Sequence, residues 1–296
     1  QLPHMLAAHK MYGDALMLAV PDLDRTEFFL CLGGNPLVSN GSIMTAPNMK
    51  DRLAAIRERG GKVVVFAPKS WAPLLSRCQG VASVAPHDEP PPPFAVQAVI
   101  SGLPWLFKTN LSSVPANIPY LRFSEEEAAG GDCWGSPQDG PRIALVRPLY
   151  DRSTQRAEFS ALTPLVGRPG LQVLRMPTWA EKGDSAADPT AIRSAEDLAA
   201  PQATTCDPLK LAVWLNSADI VIAADGPEAH LAAACGREVW LLLDKVCNWR
   251  WMSNRTRTPW YPQMKLFRRQ ANEPSDAVYA RVVEEIDRMV PQQGGE

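Results

Sequence analysis

The sequence predicts an α/β protein with mostly parallel sheets, and three observations carry that expectation. Strand-like and helix-like patterns alternate along the chain, as they do in strand–helix–strand units. Several apolar runs are short and do not alternate, among them Phe28-Phe29-Leu30-Cys31-Leu32 and Lys62-Val63-Val64-Val65-Phe66. Strands buried on both faces read this way. The 296 residues, at about 150 per domain, also leave room for two sheets, each with its own core.

Helical spacing opens the chain at 2–12, and the strand at 28–32 runs into Gly33-Gly34. An amphipathic helix at 48–58 places Leu53, Ala54 and Ile56 on one side and stops at Gly60-Gly61. With the strand at 62–66 this completes one strand–helix–strand unit, whose crossover is right-handed by rule. A helix near 71–78, a strand at 81–84, the stiff run Pro90 to Pro93, a strand at 95–100 and a short helix at 103–107 follow. The polar stretch 124–141 is the expected domain boundary, with Glu125-Glu126-Glu127 as a solvated helix start. Beyond it the alternation restarts. A strand at 142–146, a helix at 158–166 and a strand at 171–174 come first. A polar surface excursion then spans 178–205, with at most short helices. Helices at 209–217 and 227–234 alternate with strands at 219–223 and 238–243. The last helix, 275–289, has Ser275 as its expected N-cap and Ala277, Val278, Ala280, Val282, Val283 and Ile286 available for burial.

Composition narrows the function classes. Lys and Arg total 30 against 32 Asp and Glu, a net charge of −2, which argues against a nucleic-acid partner. The 28 prolines are about 9.5% of the chain, twice the usual share, so many connections should be stiff extended loops. No apolar run reaches the roughly 18 residues of a membrane span. The chain begins at Gln1 without a basic-then-apolar leader, so its start reads as trimmed or internal. The six cysteines form no Cys-x-x-Cys pair and, with only four histidines, suggest structural thiols in a cytoplasmic protein rather than a metal centre.

The strongest local site is Ile220-Val221-Ile222-Ala223-Ala224-Asp225-Gly226-Pro227-Glu228-Ala229-His230. A buried strand ends at Asp225, Gly226 turns, and Pro227 suits a first helical position. The helix then offers unpaired N–H groups and a partial positive charge at the strand's carboxyl end, where open α/β sheets bind anions. His230, one turn in, is placed to donate to a phosphate or ribose. In the plainer reading Asp225 caps the helix and His230 packs against the next strand. Trp249, Trp251, Trp260 and Tyr261 form an aromatic cluster with Arg250, Arg255 and Arg257. Trp249 and Arg250 could stack a base or sugar, or the cluster could be core-edge packing.

Here the residues reach a resemblance. Ser217 to Ile222, Ala229-His230-Leu231-Ala232, Gly236 to Leu243, Asn248-Trp249-Arg250-Trp251, Pro259-Trp260-Tyr261-Pro262 and Met264 to Arg268 resemble the carboxyl-terminal half of a family 9-type glycosyltransferase. These enzymes are heptosyltransferase-like and often joined to tetratricopeptide repeats. The likeness extends to about 62–289 through Ser101-Gly102-Leu103-Pro104 and Ile118-Pro119-Tyr120-Leu121. It implies a GT-B-like fold of two Rossmann-like domains, at 1–125 and 142–274, with a crossover helix at 275–290. It implies transfer of a sugar from a nucleoside-diphosphate sugar to a glycan, lipid or protein acceptor, with no cofactor or metal required. Asp225, Gly226, Pro227, Glu228 and His230 would hold the donor. Two departures stand out. Arg147-Pro148-Leu149-Tyr150 replaces a Trp-Ala-Gly-Asn-Pro-like loop, and Gly226 replaces a Ser or Thr that would contribute a phosphate donor. The same resemblance allows a non-catalytic nucleotide-binding or scaffold module, and no catalytic residue can be named.

Residues 1–66 resemble something else. Leu32-Gly33-Gly34-Asn35-Pro36 through Met44, with Arg57 to Val65, resembles part of a molybdopterin oxidoreductase. This makes Gly33, Gly34, Asn35 and Ser39 a possible phosphate-facing turn, and the chain a composite in which one strand–helix–strand piece replaces another. An oxidoreductase-derived fragment or accessory is the third reading.

Overall fold

The computed structural model of the chain describes residues 28–32, 58, 60, 62–93, 96–99, 109–131, 133–134, 140–146, 150–151, 156–157, 159–179, 190–191, 204–205 and 207–290. Two compact units divide the chain, Gln1–Pro115 and Ala116–Glu296. They part ahead of the polar stretch expected as the boundary, because the segment after Ala116 packs on the second unit. The Tyr120 and Leu121 amides both donate to Ala234 O, and Gly131 lies against Val213.

In the first unit four strands run parallel: β1 (Phe28–Leu32), β2 (Lys62–Ala67), β3 (Ser83–Pro86) and β4 (Val96–Val99). Their order is β3-β2-β1-β4, so the chain steps one way from β1 and later returns to its other side. Val63, Val64 and Val65 are buried, as a central parallel strand requires. The helix expected at 71–78 is shorter. A 3-10 turn at Lys69–Trp71 leads into α1 (Ala72–Leu75), whose buried residue is Leu74.

The second unit begins with α2 (Glu125–Gly130). Ser124 accepts from the Glu127 amide while the Glu127 carboxylate accepts from the Ser124 amide, a closed capping box. Its large sheet has the order β10-β8-β5-β12-β13-β14. The members are β5 (Arg142–Leu145), β8 (Gln172–Arg175), β10 (Thr190–Ala191), β12 (Ile220–Ala224), β13 (Glu238–Leu243) and β14 (Met264–Arg268). All neighbours are parallel except β10 on β8. Two small ribbons complete the described strands: β6 (Tyr150–Asp151) with β7 (Arg156–Ala157), and β9 (Thr178–Trp179) with β11 (Thr204–Thr205). The described residues of 178–205, expected as a polar surface excursion with at most short helices, form three two-residue strands.

Helices cross between these strands. Asp207 caps α3 (Pro208–Asn216) by accepting from the Leu209 and Lys210 amides at 3.0 Å. α4 (Pro227–Ala234) joins β12 to β13. The expected helix at 158–166 is instead a 3-10 segment, Ser160–Leu165, with Pro164 inside it. Proline removes a donor, which an α-helix tolerates poorly. α5 (Ser275–Met289) has the expected bounds, but its N-cap is Pro274, and Ser275 is already helical.

The core explains the sequence pattern. Every residue of β12 is buried, as are five of the six in β13. Ile143, Leu145, Phe159, Leu162, Ile222, Trp240 and Leu242 form one cluster with Val278, Tyr279, Val282 and Ile286 of α5. The apolar stripe of α5 thus lies in the second unit's core. No helix among the described residues is long and apolar enough to cross a membrane.

Candidate functional site

Strand order marks one end of the second sheet as the candidate site. The chain leaves β5 toward β8 on one side and returns to β12 on the other. Ligands of such sheets bind outside the carboxyl ends of the two strands where the direction reverses. Ile222 pairs with Leu145, so β12 ends beside the carboxyl end of β5. The residue past that end is Asp225. It is exposed, and its carboxylate makes no hydrogen bond or ion pair among the described residues.

Gly226, not Asp225, is the N-cap of α4, and no side chain caps the helix from that position. Its φ of −174° and ψ of 171° are extended, a conformation open to any residue, so glycine's freedom is not what the turn requires. Pro227 opens the first turn, where its missing N–H costs nothing. Glu228, expected to face the ligand, is fully buried, so its side chain offers no surface to a nucleotide. It sits in the first turn, where the helix dipole favours a carboxylate.

His230 is held from two sides. Its ring stacks on Trp251 with centroids 5.3 Å apart at 26°. Its Nδ1 lies 3.0 Å from the Tyr261 hydroxyl, which is itself 3.4 Å from the Tyr120 hydroxyl. Trp251 and Tyr261 are 1% and 3% exposed, so this wall is buried. The other ring nitrogen, Nε2, has no partner among the described residues and is not sealed in the core. Burial pushes the His230 pKa below the ordinary histidine value. The Asp225 carboxylate opposes that, the Arg250 guanidinium adds to it, and Glu228 opposes it. Burial also pushes Tyr261 up, against the hydrogen bond from Tyr120 and the charge of Arg250. Around neutral pH this is a neutral imidazole beside a neutral phenol.

The aromatic cluster divides into two parts. Trp251 and Tyr261 are packing residues around His230. Trp249 is 67% exposed, lies edge-on to Trp260 at 6.2 Å, and has the Arg250 guanidinium 5.5 Å from its ring centre. Asn248 caps the 3-10 turn Trp249–Trp251 through the Arg250 amide. The exposed pair is free to stack a flat ligand group. Along the same sheet edge, beyond β13 and β14, a cleft of about 530 Å³ opens between Asp244, Lys245, Val246, Arg269 and Pro274. Arg269 donates to the Asp244 carboxylate across it.

The structure thus brings Asp225, Gly226, Pro227 and His230 to one strand end, with Arg250 near enough to act electrostatically on His230. Sequence reasoning missed Tyr261 and Trp251 as the partners of His230, and Tyr120 as the partner of Tyr261. All three stand in quoted motifs, but their meeting depends on chain separations that local spacing does not encode. Gly33, Gly34, Asn35 and Ser39 lie outside the described residues, although β1 just before them borders the reversal in the first sheet.

No family model matches the chain, and no curated protein matches its sequence. Solved structures do match its shape. E. coli ADP-heptose lipopolysaccharide heptosyltransferase II aligns with a TM-score of 0.53 at 14% identity, covering 90% of this chain and 99% of that one. A glycosyl transferase family 9 structure from Veillonella parvula aligns with a TM-score of 0.52 at 10% identity, covering 94% and 92%. The fold is therefore α/β with mostly parallel sheets, like that of these GT-B-like glycosyltransferases. Neither neighbour is a molybdopterin enzyme, and nothing in these matches supports that resemblance for residues 1–66.

Proposed function

We propose that this chain is a glycosyltransferase-like protein that binds a nucleoside-diphosphate sugar at the carboxyl end of β12. The single observation that carries the reading is the strand reversal beside Asp225, where a helix start without a capping side chain and an open His230 Nε2 meet. The α4 amides would take the diphosphate, His230 would donate to a phosphate or ribose oxygen, and Asp225 would accept from a ribose hydroxyl. Trp249 and Arg250 would stack the base or sugar. The leaving diphosphate would be stabilised by the helix start and nearby cations, without a metal. The acceptor would be a glycan, lipid or protein. A cytoplasmic setting fits the free thiols of Cys78, Cys133, Cys235 and Cys247.

One observation favours a second reading, a nucleotide-binding module without turnover. Gly226 stands where a hydroxyl would add a phosphate donor. Incubation with a panel of nucleoside-diphosphate sugars separates the two. Release of the nucleoside diphosphate supports the transferase. Saturable binding without release supports the module, and no binding overturns both.

A further inference from the structure

Resting on the nucleotide reading, we infer that Tyr261 is a positioning residue: its hydroxyl donates to His230 Nδ1, so that the Nε2 left open carries the proton and meets an anionic oxygen rather than a hydroxyl.

The geometry allows two patterns. In one, Tyr120 donates to the Tyr261 oxygen and Tyr261 donates to Nδ1, leaving Nε2–H toward the ligand. In the other, Nδ1–H donates to the Tyr261 oxygen and Nε2 presents a lone pair. Both close the chain of hydroxyls at 3.4 and 3.0 Å. Chemistry separates them. A phenol is a stronger acid than a neutral imidazole N–H, and an imidazole nitrogen is a far better acceptor than a phenol oxygen, so O–H···N is the stronger bond. The shorter of the two contacts is the one at His230. The hydrogen bond at one ring nitrogen sets which proton the other carries. A flipped ring would turn Cδ2 to the Tyr261 hydroxyl and lose this bond, so the bond holds the ring orientation while the stack on Trp251 holds its plane.

Two consequences follow. His230 offers a donor, so it serves a phosphate oxygen and does not act as the base that takes a proton from an acceptor hydroxyl. Tyr261, far from β12 in sequence, contributes to affinity through the ring it orients, without touching the ligand.

The test is a long-range proton–nitrogen NMR spectrum of the protein labelled with 15N-histidine, with the His230 signals among the four histidines assigned by their loss in His230→Gln. The expected result is protonated Nε2 with Nδ1 as acceptor. A protonated Nδ1, or an even mixture, overturns the inference, and this arm needs no variant at Tyr261. Titration with inorganic pyrophosphate is the second arm. Tyr261→Phe, with an unchanged circular dichroism spectrum, is expected to lose the tautomer bias and about tenfold in affinity; unchanged affinity overturns the positioning role. If the wild-type protein fails to bind pyrophosphate, the nucleotide reading and the ligand half of the inference fall together. If it binds and the tautomer is wrong, only this inference falls.

Discussion

His230 shows how a side chain's neighbours set its chemistry. An imidazole in water has a pKa near 6.5. Here burial lowers it, with Asp225, Arg250 and Glu228 as the charged groups acting on it and Tyr261 bonded to Nδ1. A histidine with a lowered folded-state pKa binds fewer protons than its unfolded counterpart. Its contribution to stability is therefore present above about pH 6.5 and lost as the pH falls from there through the folded value. Chemical denaturation between pH 7.5 and 5 should show that loss, and His230→Gln should reduce it; an identical pH dependence in the variant would remove His230 as the cause. Burial acts in the other direction on Cys78, pushing its thiol up to about 12. Alkylation requires the thiolate. At pH 8 the native protein should label at the half-buried Cys133 and Cys247, with Cys78 reacting only on unfolding, as mass spectrometry of the alkylated peptides would report.

Capping and close approach govern the elements. Asp207 holds two first-turn amides of α3, so Asp207→Ala should cost about 1 kcal/mol in denaturant unfolding. Gly131 lies so near α3 that an added Cβ would stand 2.3 Å from Val213 Cγ1 and 2.9 Å from the Val213 carbonyl. Gly131→Ala should cost about 1–3 kcal/mol, because a backbone atom, not only a side chain, must move. The strands were the most legible elements, since parallel strands buried on both faces leave unbroken apolar runs such as those of β2, β12 and β13. The 3-10 segment at Ser160–Leu165 was not, because Pro164 weighs against an α-helix in a stretch whose apolar spacing still looks helical. β14 was not foreseen as a full strand. Lys265 and Arg268 interrupt its apolar residues without a strict alternation, and only its pairing with β13 makes the pattern readable.

Across the whole molecule, strand order turns a local motif into a candidate site. The sequence showed a strand ending in Asp225 and a helix opening at Pro227, which is a common arrangement. The reversal between β5 and β12 distinguishes this strand end from the others as the candidate site. The aromatic wall that orients His230 comes from chain segments as far apart as Tyr120 and Tyr261, and separation of that size leaves no signature in local spacing. Calorimetric titration of the wild-type protein and of His230→Ala with nucleoside diphosphates tests the central claim most directly. Saturable binding, displaced by pyrophosphate and weakened about tenfold or more by the substitution, is the predicted result, as befits a lost hydrogen bond to a charged group. Absent saturation, or equal affinity in the two proteins, would contradict it.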